Sequence, residues 1–127
     1  MFYEELYPVL GKLFYSLAAV DGKVQPTEKE ALERLIRENW KPLEGSVDEY
    51  GTDKANLIYF SFDYGQAEGS PMDGLELLKA FYAENRSAFT PSIVKNILQT
   101  GEAIVSAYRG GNKKEESLLN DVKELFF

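Results

Sequence analysis

The sequence contains no cysteine and no histidine among its 127 residues. These absences exclude a disulfide framework, thiol catalysis, Ser-His or Cys-His catalytic pairs and Cys/His zinc sites. No apolar run approaches the length of a membrane span, and the acidic N-terminal stretch 1–7 is unlike a signal peptide. We therefore expect no membrane insertion and a cytoplasmic location, where the reducing environment fits a chain without cysteine.

Basic residues are outnumbered, with 14 Lys and Arg against 21 Asp and Glu and a formal net charge of −7. Nucleic acids and anionic membranes are bound through cationic faces, so this balance argues against both as partners. An acidic surface favours solubility and permits basic protein partners or cations. The hydrophobic content of 44% and the length predict one globular domain, 1–127, with a core of its own.

The most informative stretch predicts two helices joined by a tight turn at Asp21-Gly22. Gly22 suits the left-handed backbone that ends a helix. The apolar residues at helical spacing are Leu10, Leu13, Phe14 and Leu17 before the turn, and Ala31, Leu32, Leu35 and Ile36 after it. This pattern is typical of a helical hairpin.

The start of the second helix can be placed in two ways. Pro26 is tolerated in a first helical turn, because it lacks an N–H and fixes φ. Gln25 is then the cap, and Glu28 reaches back to the cap backbone N–H. Alternatively, Thr27 is the cap and Glu30 its partner, since Thr is the better capping residue.

The rest of the chain also predicts helices. The expected helical segments are 2–20, with Pro8 beginning or kinking it, 26–40, 53–65, one starting at Pro71 after the cap Ser70, 91–108 and one from 113 onward. Pro42 is expected to end the second helix. The run Leu57 to Phe60 has strand propensity, but no second strand candidate exists to pair with it. We therefore predict a buried helix there, ended by Asp63, and an all-α single-domain bundle of about six helices overall.

Several large side chains are assigned to packing. Trp40 is expected to close the core at the end of the second helix. Three tyrosines beside the first apolar face are expected to pack on it, namely Tyr3, Tyr7 and Tyr15. Gly101 interrupts the long apolar stripe of 91–108, which predicts close approach by another helix at a propensity cost of about 1 kcal/mol. That stripe comprises Val94, Ile97, Leu98, Gly101, Ile104, Val105 and Tyr108.

The C-terminal hairpin echoes the first hairpin. Gly110 aligns with Gly22, and Glu115 with Glu28 once one residue is deleted. In this alignment Asn112 is the cap of the last helix and Glu115 its third residue. We predict a pseudo-repeated hairpin, with the first and last hairpins packed together.

The motif D-G-x-V-x-P-x-E, following L-A-A-V between two apolar helices, resembles the first hairpin of the tellurite-resistance TerB-like family. The resemblance is sharpest over 10–36 and weaker over 93–125. It implies an all-α fold with duplicated hairpins and acidic residues suspected of cation binding. It further implies a non-enzymatic binding or scaffold module that acts through a protein partner in tellurite resistance or a stress response.

Asp21 and Glu28 are the candidate metal ligands, since the turn can bring the two carboxylates together. A hard cation such as calcium takes about six to eight oxygens, so turn carbonyls, water and a further acid such as Asp63 would be needed. We therefore expect at most weak divalent-cation binding, no catalytic residue and no other cofactor. The same two residues also fit purely structural roles in the turn and the cap, which we prefer.

Two other functions remain alternatives at this level. A metal-dependent enzyme would use the paired carboxylates together with an open metal position and a nearby acid or base. A purely structural interaction protein would bind partners without any ligand, and a metal titration separates it from a cation-binding module.

Overall fold

The computed structural model describes residues 2–20, 23–44, 54–68, 74–107 and 113–127. Its helices are α1 (Phe2–Ala19), α2 (Pro26–Leu35), α3 (Lys41–Glu44), α4 (Asn56–Glu68), α5 (Gly74–Asn85), α6 (Pro91–Ser106) and α7 (Lys113–Phe126), with a π-helical turn at Ile36–Trp40 and a 3-10 turn at Arg86–Ala88. Within these ranges there is no strand, which confirms the all-α prediction of about six principal helices. None of the described helices is long and apolar enough to cross a membrane.

The centre of the bundle is α1, which packs against α4, α5, α6 and α7. Its apolar face is buried throughout, comprising Leu6, Leu10, Leu13, Phe14 and Leu17 together with Tyr7 and Tyr15. This confirms the predicted stripe and the packing role of two of the three tyrosines, while Tyr3 is partly buried against the same core.

Two glycines allow neighbouring helices to approach α1 closely. A Cβ added at Gly11 would lie 2.5 Å from the Ile58 carbonyl oxygen of α4. A Cβ added at Gly74, the first residue of α5, would lie 2.7 Å from the Cα of Leu13. Because both neighbours are backbone atoms, no side-chain movement would relieve either contact.

Pro8 lies inside α1, which begins at Phe2, so the alternative in which this proline starts the helix is wrong. The Pro8 carbonyl accepts a hydrogen bond from the Ser61 hydroxyl of α4 at 2.6 Å. This hydrogen bond links α1 to α4 at the proline.

The prediction that Pro42 ends the second helix is also wrong. The chain passes from α2 through the π-helical turn into α3, and Pro42 is the second residue of α3. The π-helical turn directly before it shifts the backbone hydrogen bonding, with the Lys41 N–H bonded to the Ile36 carbonyl, and the helix continues through Pro42. Trp40, in the π turn, is fully buried and donates from Nε1 to the Thr100 hydroxyl at 2.9 Å, which confirms its role in closing the core.

The aromatic run in the middle of the chain forms α4, as predicted, with Ile58 and Phe62 fully buried. Asp63 does not end this helix, which continues to Glu68. The physical reason is that Asp63 lies on the exposed face of α4, where its carboxylate is solvated and paired without leaving the helix.

α6 packs against α1, α2 and α7, so it joins the first and last hairpins as predicted. A Cβ added at Gly101 would meet Leu119 Cδ1 at 2.8 Å and Leu17 Cδ1 at 3.4 Å, which confirms close approach at this glycine. The internal duplication stays a prediction. The residues outside the described ranges include Gly22, Ser70, Pro71, Tyr108, Gly110 and Asn112.

Candidate functional site

Of the two predicted metal ligands, Asp21 and Glu28, Glu28 is the one that lies among the described residues. It is the third residue of α2 and only 1% exposed, and its Oε1 accepts the Gln25 backbone N–H at 2.6 Å. Gln25 has the extended backbone of a helix cap. This geometry confirms the Gln25–Glu28 pairing over the Thr27–Glu30 alternative and gives Glu28 a capping role.

Asp21 lies outside the described residues, so the pairing of Asp21 with Glu28 at a cation stays a prediction. Asp63, the further acid considered for such a site, instead accepts a hydrogen bond from Lys29 Nζ at 3.1 Å. That hydrogen bond raises the pKa of Lys29, against a smaller lowering by desolvation. Across the described ranges, no group of three acidic side chains has the arrangement of a metal site.

Glu115 mirrors Glu28 in one respect. It is the third residue of α7, as predicted, and is 2% exposed. A carboxylate near a helix N-terminus interacts favourably with the positive end of the helix dipole. The two buried glutamates are therefore consistent with structural roles at the starts of α2 and α7.

A concave apolar surface lies elsewhere, between α5, α6 and α7. We call it the apolar groove. Its volume is about 490 Å³, and it is lined by Tyr82, Phe89, Pro91, Val94, Leu98, Phe126 and Phe127, with Lys95, Gln99 and Glu102 at its polar side. Val94 and Leu98, which the sequence assigned to the α6 core stripe, are only partly buried and line this groove instead.

Three aromatic rings from different parts of the chain form one wall of the groove. Tyr82 of α5 lies 5.0 Å, centroid to centroid, from both Phe89 and Phe126, edge to face in each case. Phe89 and Phe126 are 5.8 Å apart. Such mutual packing fixes the rings, so this wall is a preformed aromatic surface. Phe127, directly after α7, is 89% exposed.

A second, more polar depression adjoins the apolar groove. We call it the polar groove; its volume is about 430 Å³, and it is lined by Glu38, Asn39, Pro42, Ser92, Lys95, Asn96 and Gln99. Lys95 and Gln99 line both depressions. The exposed ridge of α6 thus has an apolar depression on one side and a polar one on the other.

The polar groove is built on the π-helical turn. The Asn39 carbonyl accepts from the Asn96 side chain at 3.1 Å, and the Asn39 side chain donates to Gln99 at 2.9 Å. With the buried Trp40–Thr100 bond, these contacts fasten the turn to α6. π-helical turns occur frequently at functional sites.

The charges along this ridge are unevenly paired. Glu102 is bound by Lys123 at 3.0 Å, and Glu38 lies 3.8 Å from Arg34. Of the acidic side chains that the structure describes, none lies within ion-pair distance of Lys95. Among the described side chains, the ridge therefore carries a cation that makes no ion pair, although the chain as a whole is acidic.

Sequence reasoning missed this surface because it treated the apolar residues of 91–108 as one stripe. The buried face contains Ile93, Ile97, Thr100, Gly101 and Ile104. Val94 and Leu98 follow Ile93 and Ile97 by one residue, which turns them by one helical step toward the groove. The apolar stripe of 91–108 is too wide for a single contact face. This width was the feature of the sequence that could have indicated a second, open surface.

Comparisons of the chain with protein-family models, with curated proteins and with solved structures find no match. Resemblance to the TerB-like family accordingly remains an expectation from the D-G-x-V-x-P-x-E motif.

Proposed function

We propose that this chain is a non-enzymatic, TerB-like helical binding module that docks a protein partner in the apolar groove. The observation that carries the proposal is the open depression of about 490 Å³ with a fixed aromatic wall and partly buried Val94 and Leu98. Its size falls within the range of about 300–1,000 Å³ typical of binding pockets. A lining of apolar and aromatic side chains with a few polar groups at the edge is the usual composition of a binding pocket.

The free energy of apolar burial favours a partner that covers this surface. Burying apolar area is favourable by about 25 cal/mol per Å². Aromatic side chains are enriched among residues that dominate binding energy, especially at sites that exclude water. Tyr82, Phe89 and Phe126 already contact one another in the folded chain. Their side chains are therefore ordered before a partner binds, and binding loses less side-chain entropy.

The test is an affinity capture with three forms of the full chain. Val94→Asp places a charge in the groove. Phe60→Asp is the matched control, because Phe60 lies on α4, outside the groove lining, and is 59% exposed. Each form is immobilised, exposed to extract of the cells that make the protein, and analysed by quantitative mass spectrometry.

The expected result is at least one protein retained by the wild type and by Phe60→Asp but lost with Val94→Asp. Direct binding of that protein, purified, to the same three forms should repeat the pattern. Identical capture by the wild type and Val94→Asp would overturn the groove as the docking site. Circular dichroism of all three forms checks that they are equally helical.

The cellular process is proposed from the TerB-like motif alone. The motif supports a role in tellurite resistance or another stress response, with weak divalent-cation binding at Asp21 and Glu28. Cells lacking the protein should then be more sensitive to tellurite than cells that express it from a plasmid. Equal survival across a tellurite dilution series would remove this part of the proposal.

A further inference from the structure

We propose that the occupant of the apolar groove is an amphipathic helical segment of the partner, with an acidic residue that pairs with Lys95. This inference rests on the proposed function, because it names the chemistry of the segment that docks there. It combines three observations: the length of the α6 ridge, the absence of a described strand edge, and the charge left unpaired beside the groove.

The shape favours an elongated occupant. The groove lining on α6 extends from Pro91 to Glu102, which at a rise of 1.5 Å per residue is roughly 17 Å. That length matches about three turns of a docked helix. A helix that presents apolar residues at i, i+3 or i+4, and i+7 is the usual ligand of such a groove.

The fold disfavours an extended peptide that binds by strand addition. Extended segments commonly bind by adding a strand to the edge of a sheet, where main-chain hydrogen bonds supply affinity. The ranges that the structure describes contain no strand to extend. A helical segment satisfies its own backbone and needs only side-chain complementarity, which the groove provides.

The charge on the partner follows from the local pairing. Lys95 lines both the apolar and the polar groove and makes no ion pair with a described acidic side chain, whereas Glu102 and Glu38 are paired with Lys123 and Arg34. An Asp or Glu on the edge of the docked helix would supply the missing counter-charge. Because the whole chain carries −7, the segment should otherwise be neutral or basic.

The experiment selects ligands from a displayed library of random 16-residue peptides against the immobilised full chain. The enriched peptides should combine large apolar residues at helical spacing with one Asp or Glu at a constant offset. A synthetic peptide of the best sequence is then measured by fluorescence anisotropy. It should become helical on binding by circular dichroism.

Charge exchange tests the predicted pair. Lys95→Glu should weaken the acidic peptide by roughly fivefold, since an exposed attraction becomes a repulsion. Replacing the peptide's acid with Lys should restore binding to Lys95→Glu and weaken binding to the wild type. Lys114→Glu is the matched control: it makes the same change in net charge on an exposed α7 residue outside both grooves, and should have a much smaller effect.

Three results would overturn the inference in distinguishable ways. Peptides that lose binding with Val94→Asp but show no acidic preference and no response to Lys95→Glu would leave the groove as a docking site and remove the charge pairing. Failure to obtain any peptide whose binding depends on Val94 would count against both proposals. A wild-type dimer in sedimentation that Val94→Asp dissociates would make the occupant a second copy of this chain.

Discussion

α1 and α6 are both long apolar helices, of 18 and 16 residues, yet the bundle covers them differently. α1 has helices packed around it, and its apolar side chains are buried along its length. α6 is covered by α1, α2 and α7 on one face, whereas Val94 and Leu98 on its flank remain partly exposed. The difference indicates that apolar side chains on α1 serve stability, while those on the α6 flank are available for binding.

The largest expected effect is the difference in stability loss when a leucine of α1 and a leucine of α6 are each replaced by alanine. Leu13→Ala on α1 should cost about 2–5 kcal/mol of unfolding free energy, because Leu13 is fully buried and its loss leaves a cavity. Leu98→Ala on α6 should cost less than about half of that, because water can fill the space left on the groove side. Urea unfolding of both variants measures the difference.

Equal costs at Leu13 and Leu98 would show that the α6 flank is as important for stability as the core of α1. A change confined to the denaturation midpoint, with an unchanged urea dependence, would confirm that both variants unfold in the same transition as the wild type.

The glycines provide a second comparison. Gly11→Ala should destabilise the protein by about 1–3 kcal/mol, because the new methyl group meets backbone of α4. Gly101→Ala should be nearly neutral. Its nearest obstacle is the mobile end of Leu119, and removing a glycine from a helix is favourable by about 1 kcal/mol. Thermal unfolding followed by circular dichroism measures both.

A Gly101→Ala loss as large as that of Gly11→Ala would mean that Leu119 has no alternative position. The α6–α7 contact would then be as rigid as the α1–α4 contact.

The predicted cation turn can be tested against the observed cap. Glu28→Gln should cost about 1 kcal/mol, since a charge-assisted hydrogen bond to the Gln25 N–H becomes a neutral one. Asp21→Asn should also fold, because Asn tolerates turn geometry as Asp does. Calorimetric titration of the wild type with calcium, magnesium and manganese should give weak binding or none.

Tight cation binding by the wild type, lost in both variants, would make the Asp21–Glu28 turn a functional site. Retention of tight binding in both would place the cation elsewhere in the chain.

The smallest effect concerns the exposed link between α2 and α4. Lys29→Gln should cost less than about 1 kcal/mol at neutral pH, because the Lys29–Asp63 pair is largely solvated. The pKa of Lys29 is raised in the folded protein, so the contribution is fully present below the ordinary pKa of 10.5 and declines as the pH rises through the folded value. The stability difference between wild type and Lys29→Gln should therefore shrink at strongly alkaline pH. A constant difference up to that range would show that the effect does not depend on the charge of Lys29, because both its pair with Asp63 and its cation–π contact with Tyr59 weaken on deprotonation.

Local sequence determined the helical elements. Pro26 and Pro91 each begin a helix, with Gln25 and Thr90 as the caps, because proline in a first turn and a preceding cap act over a few residues. The Thr90 hydroxyl accepts the Ile93 N–H at 3.3 Å, which is a contact within one helical turn. Such signals need no knowledge of the remaining chain.

Two of the wrong predictions concern prolines within helices; the predicted end of α4 at Asp63 was a third. Pro8 lies inside α1, and Pro42 follows the π-helical turn into α3. In each case contacts from other helices accompany the irregularity: the Ser61 hydroxyl meets the Pro8 carbonyl, and Asn96 meets the Asn39 carbonyl of the π turn. These partners are more than 50 residues away in the chain, so local rules did not include them.

In the candidate sites, too, some features follow from local sequence and others from the tertiary structure. By itself, the sequence limited the start of α2 to two cap pairings, because a cap acts within one helical turn. The structure selected Gln25 with Glu28 over Thr27 with Glu30. Tertiary structure alone decided that Lys29 takes Asp63 as its partner and that Tyr82, Phe89 and Phe126 meet beside Val94. Helical periodicity tells which residues share a face, but the burial of that face depends on which helices pack beside it.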